Sequence, residues 1–458
     1  MNDKKWVLGL AAAMIAASAL TACGSNDDGE SSSSPTAGAN KEPVTLKLHT
    51  YGNEQSYNWK KTIAAFEQKY PNIKVEVIGL SEKGDTQEAT KKLDLAAASG
   101  EQMDILMFSD AAAYAQRVGL GMVEPLDPFL QKEGVDFASE YKVDTLMNGK
   151  YYALPGKFNP WYVLLNKTHL KEAGLEVPKD WTWDEFMDYA KKLTKTENGK
   201  TRYGTYFHGP QNGGWLEFMK LGLVNQEENA DFLKADGTSN LDSPLFRKSV
   251  EMRVKMEKED QSATPYAEML SQKLHYRAQF FNQSTSMIVI GSWMNTELGG
   301  TDQFPLNFEV AVAPIPKNSP SDPSGFAPVT TDYMAMAAKS KHKDEVYTFL
   351  RWYTTEGQIV QAKNVPSWKK VSNEDLAQLI DTILSGTKTP EKVDKTSLIA
   401  VLSGAKSSKI IPPVTFQAEI YKAINEEFEL LILGKQDIDT MIKKSQERTQ
   451  KLIDANKK

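Results

Sequence analysis

The chain has 458 residues, 40% of them hydrophobic and 10% aromatic, more apolar material than one core usually holds, so two lobes or domains are expected. Lys and Arg number 54 against 60 Asp and Glu, a mild net charge of -6. No long basic block is present to neutralise a run of phosphates, which argues against a nucleic-acid partner.

The N-terminus, "MNDKKWVLGLAAAMIAASALTA", places two lysines before a run of apolar and small residues from Trp6 to Leu20, the pattern of a signal peptide over residues 1–22. At about fifteen residues the run is short of the roughly twenty that span a bilayer. Cys23 comes next and is the only cysteine, so no disulfide can form within the chain. Leu20-Thr21-Ala22-Cys23-Gly24 resembles the bacterial lipobox, in which the thiol takes up diacylglycerol; that resemblance makes Cys23 the lipid-attachment site. Two acyl chains suffice for stable residence in a membrane. Up to residue 42 follow Ser, Gly, Asp, Asn, Ala and Pro with no large apolar side chain, a composition that cannot offset its own ordering entropy. This segment reads as a tether whose root-mean-square reach is roughly 25 Å.

Order is expected from residue 43. In "PVTLKLHTYG" Val44, Leu46 and Leu48 alternate with polar residues as in a strand. Trp59, Ile63 and Phe66 then recur at helical spacing up to Pro71, and "IKVEVIGL" is the next strand. "TQEATKKLDLAAASG" reads as a helix closed by Gly100, "MDILMFS" as a strand, and "DAAAYAQRVG" as a short helix. Strand and helix in alternation imply a parallel α/β sheet, whose ligands approach the carboxyl ends of the strands, here Tyr51 to Asn53 and Ser109-Asp110. "YYALPGKFNPWYVLLNK" predicts two short strands around a bend. Thr182 and Glu185 have capping-box spacing ahead of a helix. "YGTYF" and "SMIVI" are further strands, "GGWLEFMKLGL" is expected to be helical, two longer helices are expected between Pro244 and Asn282, and "GSWMNTEL" reads as a turn into a helix. After the strands in "FEVAVAPIP" and "TTDYMAMAA", the last hundred or so residues read mostly as helices.

His49, His169, His208, His275 and His342 never fall three or four apart, and the one thiol is assigned to lipid, so neither a zinc site nor any other metal or cofactor is expected. No phosphate-binding loop, dinucleotide fingerprint or nucleophile elbow occurs. What stands out is tryptophan beside bends: Trp161 after Asn159-Pro160, Trp215 after "QNGG", Trp293 after "IGS", and Trp368 in "NVPSWKK". One such ring is commonly just half-buried under a loop. Four suit carbohydrate, because aromatic faces pack on the C–H faces of sugar rings while amide and carboxylate side chains meet the hydroxyls.

Five stretches carry a family resemblance: "FEQKYPNIKVEV", "AAASGEQMDILMFSDAAAYAQRVGLGMVEPLDPFL", "YYALPGKFNPWYVLLNKTHLKEAGLEVPKDWTWDEFMDYAKKLT", "SMIVIGSWM" and "KSKHKDEVYTFLRWYTTEGQ". In their order and punctuation the chain resembles the family 1 extracellular solute-binding proteins of ABC sugar importers. The resemblance implies an α/β fold of two hinged lobes, the type II periplasmic-binding-protein fold, with a cleft between the lobes and a helical C-terminal part. On that basis 43–155 plus 310–365 form one lobe, and 156–309 plus the C-terminal helices the other. It also implies substrate contacts at Tyr51, Asn53, Glu54, Asp110, Asn159, Trp161, Trp215 and Trp293, and by looser matches at Asp332, Tyr333 and Trp368. Relatives often carry glycines where this chain reads "VTTDYMAM", so Asp332 is either a ligand contact of its own or a turn residue. The implied function is a monomeric, membrane-anchored binding lipoprotein that hands an oligosaccharide to two permease subunits and an ATPase, on the outer face of a cell with one membrane, as in Gram-positive bacteria. A non-sugar solute such as a peptide, and a glycosidase using Glu54, Asp110 or Asp332, are the alternatives.

Overall fold

The computed structural model describes residues 43–457, apart from 210–214, 229, 409–410 and 412. The signal peptide, Cys23 and the tether therefore lie outside the described residues.

Two sheets organise the chain into two α/β lobes. The first runs in the order Ile73–Gly79, Val44–Thr50, Ile105–Phe108, Tyr333–Met336, Ala153–Pro155. Its first three strands are parallel, and Tyr333–Met336 returns antiparallel between its neighbours. Leu46 and Leu48, the apolar half of the expected alternation, are fully buried under it. The helix Thr86–Ser99 starts on the Asp85 side chain, which accepts from Glu88 N–H, and ends at Gly100 with φ +76°, where a side chain would be strained.

The second sheet runs Val310–Ala313, Asn159–Asn166, Thr285–Gly291, Lys200–Tyr206, Lys195–Glu197, with Val329–Thr330 pairing beside Pro160 and Asn159. Its central strands Asn159–Asn166 and Thr285–Gly291 are buried along their whole lengths, so they read as continuous apolar runs. The capping box forms as its spacing predicts: Thr182 Oγ1 accepts from Glu185 N–H, and Glu185 accepts from Thr182 N–H at 2.7 Å.

Some expectations change. Of "GGWLEFMKLGL", Gly213 and Gly214 lie outside the described residues, and from Trp215 on the chain makes two 3-10 turns, Trp215–Lys220 and Leu223–Asn225, rather than a helix; a side chain on Gly222 between them would strike the Leu245 carbonyl at 2.4 Å, so close backbone packing sets this path. Between Pro244 and Asn282 the first helix, Pro244–Val254, widens into a π turn at Lys255–Glu259, and two short helices, Tyr266–Ser271 and Tyr276–Phe281, replace the second. "GSWMNTEL" contributes only the 3-10 turn Ser292–Thr296. The strand Val310–Ala313 pairs with Asn159–Asn166, so the return to the first lobe begins at Asp332-Tyr333 and not at residue 310. All four of its residues are buried, and an apolar run with no polar face cannot reveal which sheet receives it.

Two segments pass directly between the sheets. Gly156–Phe158 joins Ala153–Pro155 to Asn159–Asn166, and Thr331-Asp332 joins Val329–Thr330 to Tyr333–Met336. They bond to each other, Gly156 N–H to Asp332 O at 2.9 Å and Thr331 Oγ1 to Lys157 O at 2.6 Å. Val365 and Ser367 brace the first segment by bonds with Phe158 and Gly156.

Candidate functional site

On the first lobe the site begins where the strand Val44–Thr50 ends. Gly52 has no side chain because the Tyr57 ring lies there; a Cβ would sit 2.4 Å from its Cδ2. Trp59 donates its indole N–H to Gly52 O at 2.7 Å and stacks on Tyr57 at 5.3 Å and on Tyr353 at 5.4 Å, which holds the turn on the core. The hydroxyls of Tyr51 and Tyr57 converge 2.6 Å apart on Asp332, which accepts from both. Lys157 joins them, 2.8 Å from Asp332 Oδ1 and donating to Tyr51 at 3.0 Å and Tyr57 at 2.9 Å. Burial first, and then the Asp332 charge, raise both tyrosine hydroxyls well above their ordinary pKa, so they remain protonated donors.

On the second lobe Asn159 and Trp161 are two apart on one strand and so project to the same face. Trp161 is 2% exposed and meets the half-buried Trp293 edge to face at 5.5 Å. His208 lies 5.7 Å from the Trp161 ring centre and stacks on Tyr276 at 4.8 Å, extending the aromatic row. Gly291 is the ladder partner of Trp161, and the Trp293 ring occupies the space a side chain there would need, 1.9 Å from the Cβ position. Asn159 donates to Asn364 at 3.3 Å, but its Oδ1 and the Trp161 Nε1–H are buried without a hydrogen-bond partner among the described residues. An unmet buried acceptor and an unmet buried donor beside an aromatic pair are groups that the hydroxyls of a ligand can satisfy. Burial, and behind it Arg277, lower His275 to about 4, while Asp85 of the first lobe acts in the opposite direction. Arg277 itself is held by Glu297 through two bonds of 2.7 Å.

The sequence-derived contacts thus divide. Tyr51 and Asp332 meet, as do Trp161 and Trp293, with Asn159 on the same strand face as Trp161. Asn53 is a helix cap, its Oδ1 accepting from Ser56 N–H and its Nδ2 donating to Glu82 O. Glu54 accepts from Lys60 N–H. Asp110 caps the helix Ala111–Gly119 through Ala113 N–H at 2.8 Å, leaving its other oxygen to Ser109. Tyr333 is buried and stacks on Tyr114 at 4.6 Å. Trp368 donates to Glu140 at 3.0 Å, within a group of charges that includes Arg351 and Lys370. Trp215 opens a 3-10 turn; its side chain lies outside the described residues.

Asp332 is neither of the two things expected of it. It is 0% exposed and both oxygens are engaged, so it is an anchor and not a turn residue or a free ligand contact. Sequence reasoning passed over Tyr57, Gly291 and Tyr276, and weighed His208 only as a metal ligand. Tyr57 left one usable signal, an aromatic residue in the polar turn "GNEQSYN".

A family model of the bacterial extracellular solute-binding protein matches residues 51–360. Among curated relatives, the chain is 24% identical to the multiple sugar-binding protein of Streptococcus mutans serotype c, covering 75% of this chain and 81% of that one. It is 23% identical to the mannitol-binding protein of Pseudomonas aeruginosa, covering 73% and 76%. Of solved structures, the ABC substrate-binding protein of Listeria monocytogenes in complex with cycloalternan superposes with a TM-score of 0.70 at 18% identity, covering 91% of this chain and all of that one. At such identity the superposition speaks for the two-lobe fold.

Proposed function

This chain belongs to the bacterial extracellular solute-binding protein family, and from that premise we propose that it captures a neutral, hydroxyl-rich ligand, an oligosaccharide, between its lobes and delivers it to an ABC permease. The observation that carries the reading is the pair of unpartnered buried groups, Asn159 Oδ1 and Trp161 Nε1–H, beside the Trp161–Trp293 rings. A sugar supplies what such a face lacks: hydroxyls that both donate and accept, on a ring with apolar faces. Lys157 is neutralised by Asp332, so no cation of this cluster is left to draw in an anionic ligand. A ligand that touches both lobes favours closure by its differential affinity for the closed state.

Binding rather than hydrolysis agrees with the carboxylates. Glu54 and Asp110 serve helix starts and Asp332 is ion-paired, whereas glycoside cleavage needs two carboxyl groups flanking one bond. Cys23 is the lipid anchor in this reading, and the permease subunits and ATPase are the partners. Among the described residues no helix is long and apolar enough to cross a membrane.

The test is a thermal-shift screen of mono-, di- and oligosaccharides and polyols, followed by calorimetry. One sugar class should raise Tm in a concentration-dependent way, and Trp293→Ala should abolish the shift. A peptide or anionic solute giving saturable heat where every carbohydrate fails would replace the proposal.

A further inference from the structure

Both direct crossings between the sheets are fastened to the first lobe by one buried cluster. Lys157 comes from the first crossing, Asp332 from the second, and Tyr51 and Tyr57 from the first-lobe turn. The ammonium of Lys157, 7% exposed, has three partners within 3.0 Å: Asp332, Tyr51 and Tyr57. The Asp332 carboxylate takes the ion pair and Tyr51 on one oxygen, and Tyr57 at 3.0 Å on the other. Every N–H of the ammonium is thus used within the cluster. The carbonyl of Asp332 also accepts from Gly156 N–H, tying the two crossings together at the same level.

Rotating one of residues 157 and 332 against the other would separate buried opposite charges, and rotating both together against the first lobe would strip the buried ammonium and carboxylate of the Tyr51 and Tyr57 hydroxyls. Toward the second lobe the same two segments carry no charge of this kind: Phe158 on one, and Thr331 on the other. We propose that Lys157 and Asp332 are positioning residues, a fixed ionic pivot that keeps the roots of both crossings on the first lobe and confines interlobe bending to the Phe158 and Thr331 side. The two tyrosines that clamp the pivot also form the first-lobe face of the site, so the pivot sets the angle from which that face meets the second lobe.

The inference rests on the reading of the lobes as a closing pair, and its test separates the two. Cys23→Ser removes the only thiol. Cysteines placed at exposed Lys91 in the first lobe and exposed Lys200 in the second then carry spin labels, and pulsed dipolar spectroscopy gives the interlobe distance distribution of the ligand-free protein. Asp332→Asn and Lys157→Met are each expected to broaden that distribution at least twofold while melting remains a single cooperative transition. The reversed pair, Lys157→Asp with Asp332→Lys, is expected to restore the narrow distribution. If the single variants do not fold, Tyr57→Phe, which removes the hydroxyl's bonds with Asp332, Lys157 and Tyr51 but leaves the ion pair and Tyr51 in place, gives the same readout in smaller degree. Folded variants with the parental width overturn the pivot. A parent whose distances change with none of maltose, maltotriose or D-mannitol counts against those ligands or against closure, and leaves the ligand-free comparison to decide the pivot.

Discussion

Replacing Gly291 by alanine isolates the second-lobe face of the site with one added methyl group. Gly291 has φ -84° and ψ 156°, an extended conformation alanine adopts freely, so the backbone itself is not strained. The methyl would lie 1.9, 2.3 and 2.7 Å from Cζ3, Cε3 and Cη2 of Trp293, where carbon atoms rest at about 3.5–4.0 Å. The ring must therefore withdraw by roughly 1.5–2 Å, and being half-buried it can swing toward solvent. Losing its edge-to-face pair with Trp161 costs ~0.5–1.5 kcal/mol. The lower entropy of the unfolded alanine chain returns ~0.4–1 kcal/mol, so Tm should hardly move. Binding should suffer far more: displacing an aromatic hot spot is worth about 2 kcal/mol or more. At 1.4 kcal/mol per factor of ten that is a loss of roughly 30-fold. Calorimetry with the saccharide identified by the screen reads the affinity, and tryptophan emission reports the displaced ring. Gly291→Ala should add nothing to Trp293→Ala in the double variant, because both act on one ring. An affinity within about threefold of the parent, with unchanged emission, would refute the reasoning.

Asp332→Ala should destabilise the protein by ~3–5 kcal/mol, because the Lys157 ammonium is left buried without a counter-charge, and Asp332→Asn by less; equal melting of Asp332→Ala and the parent would contradict the buried cluster. His169, lowered to about 4 by burial and then by Arg202, and His275, also about 4, are neutral in the folded state but titrate near 6.5 when unfolded. The unfolded chain then binds more protons below neutrality, so stability is complete above about pH 7 and falls as pH drops from about 6.5 to 4. Chemical denaturation across that range should show the slope, and His169→Asn should reduce it. Cys23→Ser should release the protein from cells into the medium; an unchanged cell-bound fraction would remove the anchor.

Much of the fold was legible because its signals are local. The alternation of Leu46 and Leu48, the stop at Gly100 and the Thr182–Glu185 box each depend on residues within one turn or strand, and each forms as read. Legibility failed where distant packing overrode propensity. "GGWLEFMKLGL" has helical spacing, yet its chain passes against the Leu245 carbonyl and winds into 3-10 turns. The turn tryptophans look alike in the sequence but part company in the structure: Trp161 and Trp293 pair in the second lobe, whereas Trp368 is bonded to Glu140. Carboxylates at strand ends looked like ligand groups, but Asp110 caps the helix that follows it, a use equally available to any such residue.

Composition and local order alone determined an α/β chain with too much apolar material for one core, since those properties need no knowledge of what a residue meets. Only the tertiary structure decided the sheet that receives Val310–Ala313 and the role of Asp332. Tyr51 and Asp332 stand 281 positions apart, and no periodicity links them. Their contact exists because Tyr333–Met336 inserts antiparallel beside Ile105–Phe108, which carries the preceding carboxylate to the end of the first strand, where burial makes its pairing with Lys157 obligatory.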